Sequence, residues 1–257
     1  MLESGASNIV IENNILQNNG NSSIQVGGAF GGASIRNNVV LNGALNNDNY
    51  HASGVAINPG TLATVENNWI QFGKSVGEGV KAQGVDGCII RNNVIIGPWT
   101  ALQVLRDTDV TQGKPFGSIS FYNNTAVNLG GGAVTQAFGL YCSYFQDTTR
   151  AVDAYNPAVN NGVNLVNNIF AGYNNATGDI YIGNGGLGCL GASYKTQNLF
   201  SPNAASVGFN DLTNLDLRLQ KGSPAANSGV SLSTLVPTDF NGSTRNGSYD
   251  MGAFDSQ

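Results

Sequence analysis

Short alternations of apolar and polar residues, each ending in an Asn-Asn pair, recur along this chain. The pairs are Asn13-Asn14, Asn37-Asn38, Asn67-Asn68, Asn92-Asn93, Asn123-Asn124 and Asn167-Asn168, spaced 24, 30, 25, 31 and 44 residues apart. Four residues before each first Asn stand Ile9, Ala33, Ala63, Cys88, Ile119 and Val163. Two residues before it stand Ile11, Ile35, Val65, Ile90, Phe121 and Leu165. Both columns are apolar in every repeat, and a period of two turns them towards one core. The intervening column (Val10, Ser34, Thr64, Ile89, Ser120, Asn164) is mixed. Each run is too short for a helix and is crowded by Gly, Asn and β-branched residues. Asn tolerates the left-handed backbone region that a sharp turn needs. Its amide both donates and accepts, so Asn stacked on Asn forms a ladder. Self-similarity at this period marks a solenoid of about seven coils. Strand, Asn bend and strand build one coil of a parallel β-helix.

Two further phrases join the repeats, Asn198-Leu199-Phe200 and the ending Leu217-Arg218-Leu219. The ending continues through Gly222-Ser223-Pro224-Ala225-Ala226-Asn227-Ser228-Gly229, Asp239, Gly242, Arg245 and Asp250-Met251-Gly252-Ala253-Phe254. In these features the chain resembles secreted bacterial right-handed parallel β-helix proteins of the polysaccharide-lyase-like type. The family has Asp where this chain has Asn227, and an aromatic then Glu where it has Phe254-Asp255. The resemblance implies an all-β fold, with β-helix coils over residues 1–210. A C-terminal capping segment, 211–257, is then expected to pack on the last coil. It also implies a secreted or cell-surface location, although Met1-Leu2-Glu3-Ser4 carries no basic-then-apolar signal. Family members usually begin with extra coils and a cap. Here the repeat is under way by Ile9, so the open first coil is expected either to continue a longer protein or to self-associate end to end.

Composition narrows the partners. Charged residues make up 11% of the chain and hydrophobic ones 41%, too many in strict columns for a disordered segment. With 11 Lys and Arg against 16 Asp and Glu, nucleic acid is a poor partner. No apolar run approaches the roughly 20 residues of a membrane span. Cys88 falls in an inward column and reads as a small buried hydrophobe. Cys142 and Cys189 close two similar phrases, Gly139-Leu140-Tyr141-Cys142 and Gly186-Leu187-Gly188-Cys189. A disulfide is open to them if those segments stack.

Just before the doublets stand Glu12, Arg36, Glu66, Arg91, Tyr122 and Val166. Coils about 4.8 Å apart stack these as acid, base, acid, base. Such a row neutralises itself, so it predicts a register device rather than a binding stripe.

Candidate chemistry lies on the third strand of each coil. Its outward column is read as Gln25, Ala56, Lys81, Gln103, Tyr141 and Tyr181. Amides, an amine and phenols in a row suit an extended sugar chain; the bland alternative is an ordinary solvated sheet face. The longest turns, 107–118 and 145–162, would wall such a groove, with Tyr144 beside the second. His51 (the only histidine), Glu78, Arg106, Asp107 and Asp109 gather around the column in sequence. In polysaccharide lyases of this fold, Lys or Arg removes the proton α to a uronate carboxyl, and calcium or a second basic group neutralises the enolate. The resemblance therefore implies Lys81 as base and Arg106 as neutraliser, with His51 a further candidate catalytic group. A neighbouring Arg106 would lower the Lys81 pKa towards working pH. Glu78, Asp107 and Asp109 are the candidate oxygen ligands for calcium; no other cofactor is required.

The expectation is binding and depolymerisation of an extended acidic polysaccharide by β-elimination. A glycoside hydrolase is the alternative enzyme, using two carboxylates about 5–9.5 Å apart, such as Asp107 with Asp109 or Glu78 with Asp107. The paired-Asp, Gly-His-Gly and Arg-Ile-Lys phrases of pectin-hydrolysing β-helices do not occur in this sequence. A third reading is a non-catalytic carbohydrate-binding or spacer module of a larger protein.

Overall fold

A computed structural model describes residues 5–43, 45–46, 52–73, 77–105, 118–129, 136–141, 162–173, 180–182 and 197–256, with backbone alone over 136–141 and 180–182. Three strands make each coil. Coil one holds β1 (Ser7–Glu12), β2 (Ile15–Gln17) and β3 (Ile24–Val26); coil two holds β4 (Gly31–Arg36), β5 (Val39–Gly43) and β6 (Ser53–Ile57). Coil three holds β7 (Ala63–Glu66), β8 (Trp69–Phe72) and β9 (Glu78–Gln83). Coil four holds β10 (Ile89–Arg91), β11 (Val94–Ile96) and β12 (Thr100–Leu105). Coil five holds β13 (Ile119–Tyr122), β14 (Thr125–Val127) and β15 (Gln136–Tyr141). Coil six holds β16 (Val163–Val166), β17 (Ile169–Ala171) and β18 (Ile180–Ile182), and β19 (Leu199–Ser201) opens a seventh. Like strands stack in parallel into three sheets. Sheet A runs β1-β4-β7-β10-β13-β16, sheet B runs β2-β5-β8-β11-β14-β17-β19, and sheet C runs β3-β6-β9-β12-β15-β18. The molecule is a parallel β-helix.

The two columns expected inside are inside. From coil two onward Ala33, Ile35, Val65, Cys88, Ile90, Ile119, Phe121, Val163 and Leu165 are buried; Ile9 and Ile11 of coil one are only partly so. Cys88 sits among them, its Sγ donating to the Thr61 carbonyl at 3.6 Å, and burial pushes its thiol up to about 12. A thiol held neutral in this way is inert packing. Cys142 and Cys189 lie outside the described residues.

The doublet divides its labour. Each first Asn adopts positive φ, between 50° at Asn123 and 59° at Asn167, and so makes the bend from sheet A to sheet B. Each second Asn turns its amide along the axis. Nδ2 of Asn14, Asn38, Asn68, Asn93, Asn124 and Asn168 donates to Oδ1 of the next, ending on Asn198, at 2.8–3.0 Å. The same Oδ1 atoms accept the backbone N–H of the preceding member. From Asn38 onward, each Nδ2 also donates to a carbonyl one coil back, beginning with Ile11 and ending with Leu165. Asn38, Asn68, Asn93, Asn124 and Asn168 are fully buried. A column of buried amides is tolerable because its members satisfy one another.

The acid–base row stacks as expected: Glu12, Arg36, Glu66, Arg91, Tyr122 and Val166 are successive ladder partners. Bridges close within pairs, Arg36 Nε to Glu12 at 2.6 Å and Arg91 to Glu66 at 2.6 Å.

Beyond Ser201 the chain forms a 3-10 turn, Ala204–Val207, and an antiparallel pair, β20 (Phe209–Asp211) with β21 (Asp216–Leu219). This antiparallel pair spans residue 210. The tail also does more than cover the last coil: it folds back along the outer face of sheet B. Its Val207, Phe209, Leu217, Leu219, Met251 and Phe254 form a second core with Val94, Ile96, Val127, Ile169 and Ala171. The cause is visible in coils four and six, where second strands such as Val94-Ile95-Ile96 and Ile169-Phe170-Ala171 are apolar at three successive positions and demand cover on both faces. Gly252 allows the approach; a Cβ there would lie 2.6 Å from both Ile169 Cδ1 and Thr125 Oγ1.

Arg245 knots the tail to the helix. Its guanidinium donates to Asn92 Oδ1 at 3.2 Å and to the carbonyls of Gly252 and Ala253 at 2.8 and 3.0 Å. Its ion-pair partner is Asp255, at 3.7 Å. Asp239 and Asp250 receive backbone N–H groups: Asn241 and Ser243 donate to the former and Asn227 to the latter. Arg245, Asp239 and Asp250 are all buried.

Candidate functional site

Sheet C carries the candidate site, and its strands are kinked near their starts. The ladder between β6, β9 and β12 skips Gly54, Gly79 and Ala101. A Cβ on Gly54 would lie 2.3 Å from Ile70 Cγ2, and one on Gly79 would lie 2.4 Å from Ile95 Cγ2, so both positions face the core. The next residues, Val55, Val80 and Leu102, are core as well, and so is Ala101. Two consecutive inward residues break the alternation of a strand. Positions three apart therefore share the outer side, and two polar rows result. One row is Ser53, Glu78 and Thr100; the other contains Gln25, Ala56, Lys81 and Gln103.

Lys81 stands in register between Ala56 and Gln103, and Gln25 follows beyond Ala56. Among the described residues it is the sole basic residue in sheet C. Glu78 accepts a hydrogen bond from Ser53 Oγ at 2.9 Å. Ser53, Thr100, Glu78 (7% exposed) and Lys81 (6%) are buried; Gln103 is half-buried and Gln25 exposed. Charges withdrawn from water in this way require partners, and neither Glu78 nor Lys81 is without one. The outer face is thus open at coil one, half-open at coil four, and closed over Lys81.

The strand register corrects one member of the column. Gly139, not Tyr141, lies beside Gln103 and pairs with Tyr181; Tyr141 lies two residues on, opposite Leu105. Phe138 with Leu140, and Leu140 with Cys142, satisfy the inward alternation equally well in sequence, and only strand pairing separates them. Tyr181 keeps its place in the column. His51, Arg106, Asp107, Asp109 and Tyr144 lie outside the described residues. Among the described residues no three of His, Cys, Asp and Glu come together as metal ligands. Sequence reasoning passed over Ser53 and Thr100. Their signal was Gly-Val in two coils and Ala-Leu in a third, small residues placed where two neighbours must face inward.

Searched against protein-family models and against curated proteins, the sequence finds no match. No helix among the described residues is long and apolar enough to cross a membrane.

Proposed function

We propose that the chain recognises an extended acidic polysaccharide along the outer face of sheet C, with Lys81 as the positive centre. The register of Gln25, Ala56, Lys81 and Gln103 carries this reading. Amide, methyl, amine and amide follow one another at the coil spacing of about 4.8 Å. Gly139 and Tyr181 continue the line on the far side of Gln103. Amides donate to and accept from hydroxyl groups, and an ammonium withdrawn from bulk water acts on a carboxylate with little screening. Cleavage by β-elimination is the catalytic form of the proposal, with Lys81 taking the proton α to a uronate carboxyl. A purely binding module is the second reading. It is favoured by Gln25, which is exposed, and Gln103, which is half-buried, since both can meet a sugar hydroxyl without any catalytic base.

A panel of uronate polysaccharides, with and without calcium, distinguishes these forms. Binding is followed by affinity electrophoresis, and cleavage by ultraviolet absorbance of the unsaturated product alongside reducing ends. Lys81→Met, close in volume and neutral, is expected to weaken binding at least about tenfold. Absorbance lost in that variant assigns Lys81 as the base. Reducing ends without absorbance indicate a hydrolase, and binding without cleavage indicates a module. Equal binding by Lys81→Met and the parent chain would sink the proposal.

A further inference from the structure

Coils four to six show how the flank of this β-helix takes up a polypeptide. Coils one and two present the same fittings with nothing on them among the described residues. In the filled half, each first Asn of a doublet holds tail backbone. Asn92 donates to the Thr238 carbonyl at 2.7 Å, and Asn123 donates to those of Asp250 and Gly252 at 3.0 and 3.1 Å. Asn167 donates to the Val230 carbonyl at 2.8 Å and accepts the Val230 N–H at 2.9 Å. Arg91, while bridging Glu66, also holds the Leu235 carbonyl. Beside these groups lies the apolar outer strip of sheet B, covered by the tail.

By register, Ile15 and Val39 stand in line with Val94 and Ile169, and Leu41 stands in line with Ile96 and Val127. Ile15 is 71% exposed and Val39 and Leu41 are half-buried, whereas Val94, Ile96, Val127 and Ile169 are buried. Asn13 and Asn37 have the positive φ of the other first Asn residues, 57° and 55°. Both are exposed, and their side chains have no hydrogen-bond partner among the described residues. Arg36 bridges Glu12 as Arg91 bridges Glu66, and no described carbonyl lies on it. Cover stops at coil three, where Trp69 meets Phe240 edge to face with ring centres 6.3 Å apart.

We infer that the outer face of sheet B over coils one and two docks an extended polypeptide segment of another protein, uncharged and apolar at intervals. The continuity of this strip with the tail interface carries the assignment. Equivalent amides two to five coils away hold tail carbonyls, and Asn167 reads both the N–H and the C=O of Val230, as a strand edge does. Among the described residues charge on the strip is confined to the Glu12–Arg36 pair, which neutralises itself, so an uncharged occupant fits. Among the described residues the chain's own tail is engaged on coils three to six, and the segment assigned to the strip is accordingly that of another protein.

The probe is a fluorescein-labelled synthetic peptide of residues 228–238. It is uncharged in sequence and carries the three carbonyls that the chain sets on Asn167, Arg91 and Asn92. Fluorescence anisotropy against the full chain is expected to saturate, with hydrogen-exchange protection gained over residues 13–17 and 37–41. Ile15→Lys combined with Asn37→Gly, which keeps the turn and deletes the amide, is expected to weaken binding at least about tenfold at unchanged thermal stability. Absent saturation, equal affinity in the double variant, or protection confined to coils four to six overturns the inference. A dimer abolished by Ile15→Lys without peptide would hand the strip to a second copy. Polysaccharide binding lost in that variant would hand it to sugar. Either outcome also overturns it.

Discussion

The outer face of sheet B is covered at one end of the molecule and bare at the other, although one repeat builds both. Over coils four to six, Val94, Ile96, Val127, Ile169 and Ala171 pack under the tail. Over coil one, Ile15 lies in water. The Asn bends differ in the same way, gripping tail backbone at Asn92, Asn123 and Asn167 and standing exposed at Asn13 and Asn37. Repetition therefore fixes the coil but not its energetic environment. The same column position is core in one coil and surface in another, and what decides is whether something lies on it.

The largest effect expected from this contrast comes from aromatic truncation. Phe254, buried in the tail core with Phe240 at a ring distance of 5.3 Å, should cost about 3–5 kcal/mol as Phe254→Ala. Ile15→Ala on the bare half should stay within about 0.5 kcal/mol. Urea unfolding of both variants checks this, and comparable losses would mean that the two halves are not energetically distinct.

A smaller difference is expected along the amide ladder. Asn124 is fully buried, donates to Ile90 O and Asn168 Oδ1, and takes both donors of Asn93. Asn124→Ala deletes its own bonds and strands those partners, at a cost of about 2–4 kcal/mol. Asn14 ends the ladder in an exposed position, so Asn14→Ala should cost under about 1 kcal/mol. Equal thermal shifts in the two variants would show that the ladder is uniform from end to end.

The smallest effect is a pH slope confined to the covered half. Burial raises the Asp255 carboxyl above its ordinary value of 3.8, while the Arg245 guanidinium opposes the rise. A raised acid binds its proton more tightly in the folded chain than in the unfolded one. Stability from this group is therefore present at low pH and falls as pH climbs from the ordinary value through the raised one. Asp211 and Asp216, both held low by their hydrogen bonds, act with the opposite sign on acidification. Unfolding midpoints measured across the carboxylate range should show a less negative slope for Asp255→Asn than for the parent chain. An unchanged slope would remove Asp255 from the account.

How much was legible in the sequence follows from the same contrast. The inward columns, the bends and the stacking of Glu12, Arg36, Glu66 and Arg91 depend only on local alternation and repeat alignment, and all were readable. Val94-Ile95-Ile96 announces burial on both faces, but nothing local says which part of the chain supplies the second cover. That requires the long-range return of Phe254 and Arg245. The misplacement of Tyr141 has a similar origin, since two readings of Phe138-Gly139-Leu140-Tyr141 obey one alternation and pairing with β12 chooses between them. The kink at Gly54 and Gly79 was hidden because small residues have no hydropathy signal of their own, only room.

The amide ladder has a bearing on how such a chain can change. The rung from Asn124 to Asn168 spans 44 residues of sequence and the rung from Asn68 to Asn93 spans 25, yet both close at 2.9 Å. Each rung measures axial rise and ignores the length of the excursion between. Lengthening a flexible loop costs little, about 0.6 kcal/mol for each doubling. The ladder thus works as an index that uncouples contour length from height, and any turn of the coil can lengthen without disturbing the coils above and below.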